Sequence, residues 1–247
     1  MQYDDIINSI KYLISTRYIL NFKRSKEMIE VTTASKTGGK PYFENEPNWP
    51  ACKNCESPLL FILQINTTDF ETFDKCKNGL YTFFHCSECP RNNISINYYQ
   101  SPNVNKLNYA FEYIGKSPIK PCKINFVKFN SLPDLCSVDI YDESIYDEIK
   151  SQNYSKPEDL YLGVACTNLA ITTEELTSGF SSQVYGYPKW LQYDEIPRCK
   201  ICSEKMNLFL QLDSNKNVGT MFGDMGLIYV FNCKNHLDNF ESILQCL

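Results

Sequence analysis

Two histidines in 247 residues leave little room for acid–base chemistry. His85 adjoins a cysteine and His236 stands at metal-ligand spacing from another, so neither reads as a free general base. No GxSxG, P-loop or GxGxxG pattern occurs, so the residues lean away from an enzyme without deciding the matter. Basic residues are also scarce: 24 Lys and Arg against 29 Asp and Glu give a net charge of −5, the wrong sign for a general phosphate binder. Lys116, Lys120, Lys123 and Lys128 are scattered and read as solvated surface, so nucleic acid is a disfavoured partner. No apolar run approaches the roughly 20 residues of a membrane-spanning helix. The start MQYDDIINSI puts Asp4 and Asp5 where a secretory signal is basic. The expectation is a soluble, cytoplasmic protein without membrane contact.

Aromatics and cysteine are abundant. Seventeen Tyr and 15 Phe within a 43% apolar composition suit a strand-rich globular chain. Twelve Cys would suggest disulfides in a secreted protein; in a reducing compartment, CxxC pairs point to metal. Near the N-terminus, Ile6, Ile7, Ile10, Leu13, Ile14 and Tyr18 recur at helical spacing and predict a helix over 4–20, with Asp4 or Asp5 as its cap. MIEVTT, Met28 to Thr33, reads as a short strand before a turn at Gly38-Gly39-Lys40-Pro41.

Shifting the sequence by 147 residues exposes a repeat without gaps. Gly39, Pro41, Pro50, Cys52, Lys53, Cys55, Leu63, Gln64, Gly79, Leu80, Phe84 and Cys86 fall on identical residues at Gly186, Pro188, Pro197, Cys199, Lys200, Cys202, Leu210, Gln211, Gly226, Leu227, Phe231 and Cys233. Cys89 falls on His236, and both residue types ligate zinc. Each copy runs CxxC, apolar run, polar loop, Gly-Leu with a second apolar run, then CxxC or CxxH. The runs LLFILQI (Leu59 to Ile65), GLYTFF (Gly79 to Phe84), NLFLQL (Asn207 to Leu212) and GLIYVF (Gly226 to Phe231) predict strands.

If each pair of strands is antiparallel, both cysteine pairs meet at one end of a hairpin, as in a zinc ribbon. Cys52, Cys55, Cys86 and Cys89 would form one site, and Cys199, Cys202, Cys233 and His236 another. Four protein ligands leave no open position, so two structural zinc ions are expected. A redox CxxC and disulfides are the competing readings. Cys76, Cys122, Cys136, Cys166 and Cys246 lack partner spacing and read as small buried hydrophobes.

The expected fold is a β-rich α+β chain: a tandem, pseudo-twofold duplication of a sheet unit with an embedded zinc ribbon, preceded by a helix. Its parts are a helix and turn (1–27), a first repeat (28–125, ribbon 52–89), an acidic connector (126–159) and a second repeat (160–247, ribbon 199–236), with close packing of the two repeats favoured. In the connector, Asp142, Glu143, Asp147 and Glu148 read as a solvated helix face rather than a cation site. Gln64 and Gln211 occupy matched places inside apolar runs. Their amides either satisfy backbone groups of the following loop or line a ligand cleft between the repeats, where Asp224 is a further candidate.

Three segments, SKTGGKPYFENEPNWP with PLLFILQIN, YGYPKWLQ, and LFLQLDSNKNVGTMFGDMGLIYVF, resemble the YwqG-like proteins, a bacterial family of uncertain function. That family looks related to the eukaryotic programmed cell death protein 2 group. The resemblance implies a duplicated β-rich fold, and ribosomal-protein chaperoning or ribosome biogenesis in the eukaryotic relatives. Many family members lack the paired CxxC motifs, so zinc is read here from spacing. The resemblance carries over no catalytic residue.

The leading functional expectation is a non-catalytic, zinc-stabilised protein-binding module, chaperone-like or an assembly factor, with a protein partner on its sheet edges or inter-repeat cleft. The alternatives are an RNA-associated or ribosome-biogenesis protein, and a hydrolase using Asp224 with Asp213 and Asp194.

Overall fold

The computed structural model describes residues 3–44, 49–73, 75–89, 94–106, 117–151, 157–172, 175 and 181–247. In chain order its elements are α1 (Tyr3–Tyr12), β1 (Ser15–Arg24), β2 (Lys36–Thr37), β3 (Leu60–Asn66), β4 (Leu80–His85), β5 (Ile94–Tyr99), β6 (Cys122–Ser131), α2 (Val138–Tyr141), α3 (Glu143–Ser151), α4 (Pro157–Asn168), β7 (Gln183–Tyr185), β8 (Asn207–Asp213), β9 (Leu227–Asn232) and β10 (Phe240–Gln245). The ten strands form one antiparallel sheet in the order β10-β9-β8-β7-β1-β6-β2-β3-β4-β5.

The sheet curls until its ends face one another and is nearly closed. Tyr81 and Phe83 of β4 meet Phe209 of β8, with ring centroids 5.1 and 6.0 Å away, and Tyr81 also meets Phe240 of β10 at 6.0 Å. This inner core takes alternate residues of β4 and β9, as the two-residue period of a strand requires. The other face of each half has its own aromatic layer. Phe43 lies 5.9 Å from Phe84, and Trp190 lies 5.9 Å from Phe231, a ring pair displaced by the same 147 residues.

The strand pairings match at the same displacement. β3 meets β4 from Leu60↔His85 with an irregularity between Phe61 and Leu63, and β8 meets β9 from Asn207↔Asn232 with one between Leu208 and Leu210. The bulged residues, Ile62 and Phe209, are both buried in the inner core.

The N-terminal expectation needs correction. The helix stops at Tyr12, with Asp4 and Asp5 inside it, and Ser15–Arg24 is a central strand paired with β6 along its whole length and with β7 on its other side. A segment rich in aromatic and β-branched residues, with ladders on both edges, follows the sheet despite its helical spacing. The strand expected at Met28 to Thr33 is also not formed: Lys26–Ile29 is a 3-10 turn. The carbonyls that follow are held by side chains instead, with Gln64 Nε2 donating to Thr32 and Ala34 O at 2.7 and 2.8 Å and Asn66 Nδ2 to Thr33 O at 2.8 Å. A boundary at 125/126 falls inside β6, and one at 159/160 inside α4.

The acidic connector is mostly helix, and part of it (152–156) lies outside the described residues. Asp142 Oδ1 accepts the Ser144 and Ile145 N–H groups and so caps α3, which is its structural use. The helices α1, α3 and α4 bury Ile10, Ile145, Ile149, Leu160 and Val164 in a separate cluster. Among the described residues no helix is long and apolar enough to cross a membrane. Of the lysines read as surface, Lys116 lies outside the described residues, and Lys128 Nζ is ion-paired with Glu71 at 2.6 Å.

Candidate metal centres

Each β-hairpin brings together its two donor pairs, four cysteines in the first and three cysteines with His236 in the second. A tight knuckle opens each site: Glu56 N–H donates to Cys52 O at 2.9 Å with Glu56 at φ 59°, and Ser203 N–H donates to Cys199 O at 2.8 Å with Ser203 at φ 61°. The flanking backbone repeats as well, with Cys52 N–H on Ser57 O and Cys199 N–H on Glu204 O, at 2.8 and 2.9 Å. Amide groups point at the sulfurs, Asn54 N–H at Cys52 Sγ and Ile201 N–H at Cys199 Sγ, both 3.4 Å. Such donors stabilise thiolate charge, which a metal-binding knuckle needs.

Two groups result, Cys52, Cys55, Cys86 and Cys89, and Cys199, Cys202, Cys233 and His236, with the four ligand atoms of each within 4.8 Å of one another. These are the eight ligand positions expected from spacing. Cys52 and Cys89 Sγ lie 3.7 Å apart, Cys55 and Cys86 Sγ 3.6 Å, and Cys202 and Cys233 Sγ 3.6 Å. His236 turns Nδ1 inward, 3.6 Å from both Cys199 and Cys233 Sγ. A tetrahedron with metal–sulfur bonds of about 2.3 Å has edges of about 3.8 Å, so both groups fit a four-coordinate ion. All twelve cysteines are free thiols, and the disulfide alternative has no counterpart in the fold.

Electrostatics favour a cation. The Ser57 hydroxyl and N–H draw the Cys55 thiol down to about 6, while hydrogen bonding from Cys55 pushes Cys89 up to about 12. In the second group desolvation opposes ionisation of Cys199, but the N–H groups of Cys202 and Ile201 and the Asn239 amide bring it to about 6. Without a counter-ion each further thiolate meets the charge of the first, and a divalent ion removes that conflict. The motif pattern did not reveal Asn239, whose Nδ2 donates to Cys199 Sγ at 3.1 Å from beyond the CxxH.

The remaining candidate residues do not assemble into a cleft. Gln64 and Gln211 are fully buried. Gln64 Oε1 accepts Tyr42 N–H at 3.0 Å, and Gln211 Oε1 accepts Lys189 N–H at 2.9 Å while its Nε2 donates to Ser181 O at 2.9 Å. The amides serve the loops before their strands rather than those after them. Asp224 is exposed in the turn before β9, and its carbonyl accepts Leu247 N–H. Asp213 accepts the Ser182 hydroxyl and Asp194 the Ser137 hydroxyl, so these two carboxylates are held by separate partners. Cys76, which read as buried, is so, with Sγ 2.9 Å from Tyr185 Oη, whereas Cys136 and Cys166 are exposed.

A search of curated proteins finds no match to the chain. A family profile, by contrast, matches residues 35–245, which hold β2 to β10 and both cysteine groups. The chain belongs to the family described as a domain of unknown function, DUF1963.

Proposed function

We propose that the chain is a non-catalytic protein-binding module in which two structural zinc ions hold the ends of a duplicated sheet, and an extended partner segment adds to a sheet edge. The carrying observation is the pair of edges: among the described residues β5 pairs only with β4, and β10 only with β9. Each edge has a row of backbone groups suited to strand addition. Four-donor groups leave no coordination position for substrate, which supports a structural role. Three thiolates with one imidazole favour zinc over iron, and metal analysis should find about two zinc ions per chain.

Support for duplication comes from the matched registers and from a second correspondence, between β1 and β6. β2 pairs with β6, and β7 with β1, so the first strand of each unit lies beside the second strand of the other. The relation between the units centres on the Asn21↔Asn125 pair. On this reading unit one begins with β1 and unit two with β6, and the helices α2 to α4 are an insertion in unit two. Kinship with the YwqG-like proteins and the programmed cell death protein 2 group belongs to the same reading, as do a chaperone-like role and a cytoplasmic location.

The test places a photo-crosslinking residue at Ser95 on β5 or Ser242 on β10, with exposed Glu27 as control. A single partner crosslinked from an edge position and not from Glu27 is expected. Crosslinks confined to Glu27, or RNA as the only co-purifying species, would overturn the reading.

A further inference from the structure

The two halves close their inner ends differently. In one, Asn232 is 1% exposed and its Nδ2 donates to Lys75 O at 2.7 Å, tying the halves together. The residues at the same places in the other half are His85 and Phe222, 147 residues removed. Here the rings meet edge to face at 5.6 Å and 76°, and among the described residues the imidazole has no hydrogen-bond partner although His85 is only 9% exposed. The next position differs too. Cys76 fills its place with a thiol on Tyr185 Oη, while the matched residue, Gly223, has no side chain and lies against that of Cys246.

At this end lies a cleft of about 490 Å³ beside the first cysteine group, lined by His85, Phe222, Met221, Ile62, Leu244 and Cys246 among others. That volume lies within the range of small-ligand sites. Its walls carry the Phe222 ring and the sulfurs of Met221, Cys246 and Cys89, which favour contact with another ring. The His85 imidazole lines this space, and among the described residues none hydrogen-bonds to it, so its ring nitrogens are left for a group that enters the cleft.

We propose that this cleft binds an aromatic ring carrying one hydroxyl, with the ring against Phe222, Met221 and Cys246 and the hydroxyl on the His85 imidazole. The proposal is separate from strand addition at the sheet edges and survives or fails without it. The ring belongs either to a free phenolic compound or to a tyrosine of a bound chain.

The full-length protein with methyl-labelled methionine is titrated with p-cresol and with toluene. Saturable shifts of the Met221 methyl and His85 imidazole signals are expected, with p-cresol binding about three- to tenfold tighter, the worth of one net hydrogen bond. His85→Phe should abolish that preference while retaining toluene binding. If this variant does not fold, the comparison of the two probes on the native chain still decides. No saturable shift at Met221, or equal affinity for the two probes, overturns the proposal. A Gly-Ser-flanked tyrosine peptide that displaces p-cresol upholds it with a chain-borne ring. Binding of p-cresol that the peptide cannot displace upholds it with a free phenol.

Discussion

Lys36 and Gln183 stand at matched positions, both fully buried, and do one task with different chemistry. Lys36 Nζ donates to Lys40 O at 2.7 Å; Gln183 Nε2 donates to Tyr187 O at 2.9 Å, the carbonyl at the corresponding place. Cys89 and His236 are a second such pair, each supplying the fourth donor of its group. His85 and Asn232 are a third, but there the exchange changes the outcome, since Asn232 hydrogen-bonds across to the other half whereas His85 meets it only through a ring contact. Where a backbone group or a metal site defines the task, the side chain can vary. Where the side chain defines the contact, replacing it opens space.

The largest effect expected is from removing metal. Structural zinc contributes about 10–16 kcal/mol in small zinc peptides, against about 5–15 kcal/mol for the stability of a whole domain. A strong chelator should therefore abolish the near-ultraviolet circular dichroism of the whole chain, with both halves lost together because they share one sheet. Next come substitutions that interchange the two centres. Cys89→His should keep two metal ions per chain by elemental analysis, because histidine already holds that place in the other group, whereas Cys89→Ala should leave one.

Smaller losses are expected from the matched glutamines. Gln64→Leu leaves the Tyr42 N–H and the Thr32 and Ala34 carbonyls without their partner, and Gln211→Leu leaves the Lys189 N–H and Ser181 O. Costs of about 3–5 and about 2–4 kcal/mol respectively should appear in denaturant unfolding. The most gradual effect concerns pH. Burial holds Lys36 down to about 7 from the ordinary 10.5, despite the nearby Glu30. Between those values the unfolded chain binds more protons, so stability rises with pH through that window, at up to about 1.4 kcal/mol per pH unit. Lys36→Gln, which installs the residue of the other half, should flatten that slope between pH 7 and 10.

The hairpins and the two groups of candidate metal donors were legible because their signals are local. CxxC spacing, Gly-Leu after a polar loop and a run of apolar residues each lie within a few positions, and the 147-residue displacement reports them twice. The first strand was not legible. Ile6 to Tyr18 has helical spacing throughout, but Tyr18 and Leu20 belong to the inner core and their strand is stabilised by β6, about a hundred residues away. The glutamines were recognised as requiring partners, yet the loops they serve precede them, which spacing alone does not distinguish.

By itself the sequence determined that this chain carries two four-donor groups on antiparallel hairpins, because ligand type and spacing constrain what a tight knuckle can do. Tertiary structure alone decided that both hairpins join one curled sheet through β1 and β6, and that one inner end is tied while the other holds a cleft. These features depend on long-range strand pairing and on which side chains meet across the core, and such contacts leave no periodic trace along the chain.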